Sequence, residues 1–208
     1  MSTIHKSIIF IALALILLGG VVGARSPFEL GLTFTGVFEA SNKEDSEPFF
    51  DRAGNPDNWT IGLGLASRIY FLDLSMLAML PNDNSDSGET LALLTSASFA
   101  IPLVTDSLYL GVGGGMTTNF FFPKDDSSEA LIVGRRASEV TFGEVLEHSP
   151  LHLRVSLDLL LGKAKVGLSY IKQSSTTFAT LTGQGGWVNL LRSKGDDKIL
   201  FFIQLALI

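Results

Sequence analysis

The sequence predicts an antiparallel up-and-down transmembrane β-barrel of about eight strands, preceded by a signal peptide. Three observations lead to this all-β fold class. The N-terminus is a short apolar segment, eight later segments alternate apolar residues with small or polar ones, and the connections between these segments are alternately long and short. Strands can cross a membrane only as a closed barrel, because an open sheet edge leaves backbone groups unpaired in hydrocarbon.

Composition sets the limits within which the chain must be interpreted. Its 208 residues fit one domain, hydrophobic residues make up 46% and charged residues 17%. There is no cysteine, which excludes disulfides, thiolate metal sites and a lipid-bearing cysteine. The net charge of −6 argues against a nucleic-acid partner. No metal and no cofactor are predicted.

The first 24 residues have the features of a secretory signal peptide. Lys6 supplies a positive start, residues 7–18 are apolar, and Val22, Gly23 and Ala24 form a small-residue cleavage site. We therefore expect residues 1–24 to be removed and residues 25–208 to form the barrel domain. The alternative is an uncleaved anchor helix, because residues 8–24 nearly span a bilayer.

Eight segments alternate with a period of two, as half-buried strands do. In the first, Phe28, Leu30 and Leu32 share one face, while Glu29 and Gly31 share the other. The segments are 28–38, 59–69, 72–80, 91–99, 108–113, 151–159, 164–170 and 199–207. One face of each is nearly free of charge and the other is small or polar, which is typical of a membrane barrel. A secreted lipocalin-like barrel is the alternative, but its exterior would need charge.

The connections indicate an orientation. Those at 41–58, 81–90, 118–150 and 172–198 are long, those at 70–71, 102–107 and 161–163 are short, and most of the 21 acidic residues lie in the long ones. Bacterial outer-membrane barrels have short periplasmic turns and long external loops, so we expect that location with both termini periplasmic. The apolar runs 130–133 and 140–142 are interpreted as a hairpin above the membrane. The alternative is a ninth and tenth strand, for which each run is too short.

The inward faces predict a lumen with two zones. Charged side chains at the periplasmic end should pair into a polar plug, because charges cannot stay unpaired in a narrow bore. These residues are Glu29, Arg68, Asp73, Arg154, Asp158 and Lys165. Toward the outside, the predicted ligand-lining residues are Val37, Leu77, Met79, Leu94, Ile171, Leu200 and Phe202. Two interpretations stay open: the side chains fill the bore, or small inward residues such as Gly62 and Gly111 leave room for one apolar ligand.

The signal peptide, eight alternating strands, four acidic loops and apolar upper lumen resemble the OmpW-type small outer-membrane barrels. The resemblance covers nearly the whole mature chain but is architectural, and the terminal Ile208 departs from the aromatic residue that usually ends such barrels. It implies passive entry of small hydrophobic solutes from outside, released sideways into the membrane. The related OmpX and OmpA kind is filled and serves as an anchor or adhesin.

Two functions follow as hypotheses. The first is solute entry, with outer-membrane lipid and a small hydrophobic solute as partners. The second is a surface-exposed adhesin or structural barrel whose long loops bind a host or partner molecule. His148 and His152 have serines nearby, which is compatible with lipid acyl chemistry, but neighbours in sequence are poor triad partners. No enzymatic activity is predicted.

Overall fold

The computed structural model describes residues 28–40, 48–80, 88–105, 107–124, 129–183, 185–192 and 197–208. The predicted signal peptide and much of the acidic connections at 41–58 and 81–90 lie outside the described residues. The elements in chain order are β1 (Phe28–Glu39), α1 (Phe49–Gly54), β2 (Trp59–Ile69), β3 (Leu72–Met79), β4 (Gly88–Val104), β5 (Leu108–Pro123), β6 (Leu131–Ile132), β7 (Arg135–Arg136), α2 (Phe142–His148), β8 (Leu151–Leu161), β9 (Ala164–Gln173), α3 (Phe178–Leu181), α4 (Gly186–Arg192) and β10 (Lys198–Ala206).

Eight of the strands close into an antiparallel barrel, which confirms the predicted fold class. Their order around the barrel is β1, β2, β3, β4, β5, β8, β9 and β10, and β10 pairs again with β1. Glu39 on β1 has a register partner on β10, that residue has a partner on β9, and so on around the barrel. After all eight strands this path returns to β1 at Glu29, ten residues before its start. This stagger is the shear that a closed barrel with tilted strands requires.

The two ends of the barrel differ. At one, here called the turn end, β2 and β3 are joined at Tyr70 and Phe71, and β8 and β9 at Gly162 and Lys163. Tyr70 and Gly162 have φ of 55° and 64°, as tight hairpin turns need. The opposite end, the loop end, has the four long connections, as the alternation of lengths predicts.

The connection after β5 is an extension and adds no strand to the barrel. At the loop end, β4 and β5 stay paired as far as Gly88 opposite Pro123, which is well beyond the predicted limits of 91–99 and 108–113. Thr117, Thr118 and Asn119 interrupt the apolar alternation there, which is why the sequence pattern ended too early. The extended part of β5 pairs with β6, and β6 pairs with β7.

The predicted hairpin is wrong in its second strand, residues 140–142. Residues 140–142 do not pair with 130–133, because Gly134, with φ of 79°, turns the chain back at once and places Arg135 and Arg136 opposite β6. Thr141 and Glu144 then form a capping box that begins α2 at Phe142. The loop end thus carries helices that the sequence analysis did not predict. No helix in the described ranges is long and apolar enough to cross a membrane.

The inward and outward faces follow the predicted parity. Outward side chains such as Leu63, Phe99 and Leu168 are large, apolar and more than half exposed, whereas Arg68 and Asp158 are buried inside. In the eight described barrel strands the outward parity contains two charged residues, Glu89 and Lys172. A barrel stable in water would have the opposite distribution, since unpaired charges belong in water and large apolar surfaces do not.

Candidate functional site: the closed lumen

The loop half of the lumen holds a packed apolar cluster. It contains six of the seven residues predicted to line a ligand site: Val37, Leu77, Met79, Leu94, Ile171 and Leu200. They come from five strands, and each is only 1–7% exposed. Ala92 packs against them. The side chains therefore contact one another across the bore and close it at this level; whether they also receive a ligand stays a prediction.

Phe202, the seventh predicted residue, lies in the lumen outside this cluster. Its ring is 5.7 Å from the guanidinium carbon of Arg154 and 5.7 Å from the Nζ of Lys165. Both distances are within reach of a cation–π interaction. Phe202 thus lies between the apolar cluster and the charged residues below it.

The turn half of the lumen holds the ionic network of the predicted plug residues. Arg68 binds Asp73 through two bonds, Nε to Oδ1 and Nη2 to Oδ2, each 2.5 Å long. Its Nη2 also lies 3.8 Å from Oδ2 of Asp158, and the Nζ of Lys165 lies 3.8 Å from Oδ2 of Asp73. Four charged groups from β2, β3, β8 and β9 therefore meet inside the bore.

Arg154 and Glu29 occupy the edges of this network. Arg154 donates to Ser75 Oγ at 2.8 Å and to Ser169 Oγ at 3.1 Å, which joins β8 to β3 across the lumen. Glu29 lies opposite Arg68 in the register of β1 and β2, on the same inward face. The guanidinium of Arg68 is stacked 4.6 Å from the ring centroid of Tyr109. The structure thus brings together the six residues predicted for the polar plug, all on the inward face.

Small inward residues accommodate larger neighbours. A Cβ added to Gly167 would overlap the ring of Phe202, and one added to Gly31 would lie 2.8 Å from the side chain of Gln204. A Cβ on Gly111 would overlap Ser156. Of the two interpretations left open by the sequence, a filled bore is therefore the one that these glycines support.

A polar belt that sequence reasoning missed borders the apolar cluster. His152 is 2% exposed, and its Nε2 lies 3.0 Å from Ser96 Oγ while its Nδ1 lies 3.3 Å from Thr117 Oγ1. Gln173 donates to Thr117 Oγ1 at 3.0 Å. Ser96 and His152 are on β4 and β8, with Gly115 of β5 between them in register. Because Gly115 has no side chain, the two polar groups meet across it.

The serines considered as partners of a histidine lie elsewhere. Ser149 Oγ bonds Thr118 Oγ1 at 2.8 Å, and Ser156 is four residues nearer the turn end than His152 on β8. Both ring nitrogens of His152 contact hydroxyls, whereas the familiar triad needs a carboxylate to orient the ring. Among the described residues no group of three or more His, Asp or Glu is arranged to hold a metal ion.

Comparisons with known proteins find similarity in structure alone. No protein family matches the chain, and no curated protein matches it in sequence. The solved structure of Neisserial surface protein A (NspA) aligns with a TM-score of 0.43 and 9% identity, over 88% of this chain and 99% of that one. The outer membrane protein OprG from Pseudomonas aeruginosa aligns with a TM-score of 0.38 and 10% identity, over 86% and 92%.

Proposed function

We propose that the chain is a bacterial outer-membrane barrel that admits small hydrophobic solutes into the loop half of its lumen. The membrane location is supported by the outward face, where large apolar side chains are exposed and charge is nearly lacking. The loop end would face the outside, since external loops are the long ones, and both ends of the barrel domain would lie in the periplasm.

The observation that carries the solute proposal is the apolar cluster. The interior of a membrane barrel is ordinarily polar, yet the loop half of this lumen is lined by Val37, Leu77, Leu94 and their neighbours. An apolar solute loses nothing by replacing contacts among aliphatic side chains, and Met79 is unbranched and adaptable. The cluster is closed as it stands, so entry requires these side chains to move apart.

The ionic network decides where a solute could go. Passage straight through would require an apolar molecule to separate Arg68 from Asp73 and Asp158, which costs several kcal/mol for each charge left unpaired. We therefore propose that solutes leave sideways into the bilayer, as the resemblance to OmpW-type barrels implies. Ions and water would not cross the barrel.

Uptake of an apolar fluorescent dye by cells that make the barrel tests this proposal. Leu94→Asp and Leu77→Asp place a charge in the cluster, so uptake should fall to the level of cells without the barrel. The matched control is Phe142→Asp, which adds the same charge at a side chain 78% exposed on α2 and should leave uptake unchanged. Heat-modifiable gel migration would confirm that each variant is assembled. Unchanged uptake in assembled cluster variants would overturn the proposal.

A second candidate function is supported by exposed aromatic residues at the loop end. Phe50 on α1 is 84% exposed and Phe142 on α2 is 78% exposed, although both lie in connections that face water in the proposed orientation. Large exposed apolar side chains on loops are typical of contact surfaces, so a surface-interaction role is the alternative. The double variant Phe50→Ser, Phe142→Ser should then abolish adhesion of cells to host surface proteins while dye uptake persists. Equal adhesion by this variant would dispose of the alternative.

A further inference from the structure

A groove of about 550 Å³ runs along the outside of the barrel wall. Its floor follows one register row across four strands: Leu74 on β3, Ala97 on β4, Gly114 on β5 and Leu153 on β8. Ala97 and Gly114 are register partners, so two neighbouring outward positions have a small side chain or none. The residues on either side of them in the row are larger. The result is a depression in a wall that is elsewhere covered by aliphatic side chains.

Helices α3 and α4 roof the groove at the loop end. Leu181 and Trp187 line it from above, and Leu190 is only 6% exposed although it belongs to a connection. Leu151, an outward residue of β8, is also only 6% exposed, which shows that the roof covers the wall here. The groove therefore has a mostly apolar lining from both the wall and the roof, and its volume lies in the range of small-molecule sites.

Lys172 lies at the end of the same register row. It faces outward on β9, directly opposite Leu153, and is half-buried. The other charged residue of the outward parity, Glu89, is on the part of β4 that extends toward the loop end. A lysine on the lipid face destabilises a barrel strongly at the bilayer midplane and only slightly near the interfaces. Near the interface Lys172 is therefore tolerated and its ammonium can pair with an anionic group, whereas the carboxylate of Asp197, just before β10, accepts from Tyr170 Oη on the same face.

We propose that this groove binds one acyl chain of an anionic membrane lipid whose headgroup pairs with Lys172. The inference rests on the proposed membrane location and adds a lipid site on the outer wall, separate from the lumen. Register rows descend from the loop end on β10 and β9 to the turn end on β2 and β1, so Lys172 is at the end of the row nearest the loops. From β9 to β3 the row covers about 19 Å at about 4.8 Å per strand.

The geometry matches an acyl chain better than a protein partner. Half of the hydrocarbon core is about 15 Å thick, close to the length of the row once its slope is considered. The groove beneath α3 and α4 has the volume of a small-molecule site and a mostly apolar lining, which suits a thin apolar occupant. The single cation at the upper end fits a phosphate group, and the apolar floor below fits a hydrocarbon chain.

The test is native mass spectrometry of the barrel after reconstitution in vesicles of equal parts phosphatidylglycerol and phosphatidylcholine and mild detergent extraction. The wild type should retain one phosphatidylglycerol. Ala97→Trp fills the groove and should lose the lipid, whereas Ala78→Trp, on an outward position of β3 outside the groove, should retain it. Lys172→Gln should bind both lipids equally, and Lys163→Gln, at the turn end, should keep the preference for phosphatidylglycerol.

Vesicle insertion and heat-modifiable migration are measured in the same preparations. A wild type that does not insert would overturn both the membrane location and this inference. An inserted wild type that retains no lipid, or equal retention by Ala97→Trp and Ala78→Trp, would overturn the lipid site alone. If Ala97→Trp fails to assemble, Ala97→Leu replaces it, with Ala78→Leu as its control.

Discussion

Arg68 and Asp158 lie on strands β2 and β8, which face each other across the barrel, and their side chains meet with 3.8 Å between Nη2 and Oδ2. Arg68 is also held by two bonds to Asp73 on the neighbouring strand. A single guanidinium thus joins opposite walls of the bore. Buried ion pairs of this kind contribute little net stability, but removing one partner leaves the other charge buried and uncompensated.

The first prediction concerns this contact. Arg68→Ala leaves Asp73 and Asp158 without their closest cation, so the free energy of unfolding in urea should fall by about 3–5 kcal/mol. Ions should still not pass, because the apolar cluster of the loop half closes the bore above the emptied space, and single-channel recording in a planar bilayer would check this. Arg136→Ala, on the exposed hairpin of β6 and β7, is the control and should change neither quantity. Unaltered stability of Arg68→Ala would show that Asp73 and Asp158 do not depend on Arg68 as their partner.

The second prediction concerns the glycine beneath Phe202. Gly167→Ala places a methyl group where the ring of Phe202 lies, and overpacking of this kind costs about 1–3 kcal/mol. The double variant Gly167→Ala, Phe202→Leu should recover most of the loss, because the smaller side chain gives way. Urea unfolding of both refolded proteins measures the difference. If the double variant is as unstable as the sum of the single ones, the two residues do not compete for the same space.

The third prediction concerns the polar belt. His152→Ala removes the partner of the buried Ser96 hydroxyl, which costs about 1–3 kcal/mol, while Thr117 loses one contact but keeps the bond from Gln173. His152→Gln keeps a donor and an acceptor near the same place and should be less destabilising. The same unfolding measurement compares them. Unchanged stability of His152→Ala would mean that the imidazole does not hold β4 and β8 together.

The fourth prediction concerns Glu144 in the capping box of α2. Its carboxylate accepts from the backbone N–H of Thr141, from the Thr141 hydroxyl and from Arg135, and these contacts lower its pKa from 4.5 to about 2. Because the pKa is depressed in the folded loop, the contribution of the cap is present above pH 4.5 and is lost as the pH falls toward 2. An NMR titration of the Glu144 carboxyl carbon should therefore give a midpoint near 2.

The control for this titration is Thr141→Val, which removes the hydroxyl but keeps the shape of the side chain and the backbone N–H. The midpoint of Glu144 should then move back toward 4.5 without reaching it, since the backbone and Arg135 contacts persist. A midpoint near 4.5 in the wild-type protein would contradict the capping box as described.

The barrel and the direction of its side chains were predictable from the alternation alone. A period of two assigns each residue of a strand to one face, so the alternation alone predicts that Val37, Leu77 and Asp158 face the lumen. The division of the lumen into an apolar half and a charged half was predictable too, because strands of similar length connected by short turns keep equivalent ends on the same side of the barrel. The faces depend on local pattern, and local pattern is what a single sequence contains.

Contacts across the lumen were not predictable in the same way. Ser96 and His152 are 56 residues apart and lie on strands that do not pair, so their meeting depends on the register of β5 between them. The available signal was Gly115, whose missing side chain permits the contact. For helix α2 the sequence does contain a local signal, because Thr141 and Glu144 are three residues apart, as a capping box requires.

The proposed membrane location requires the outward faces of the strands to contact acyl chains. Because the chain has no cysteine, single cysteines at Leu157 and Leu168, which are outward register partners, can each carry a spin label in the reconstituted barrel. Both labels should collide with oxygen dissolved in the bilayer and be shielded from a water-soluble nickel chelate. Labels that collide mainly with the chelate, on a protein that stays soluble without detergent, would contradict the membrane barrel itself.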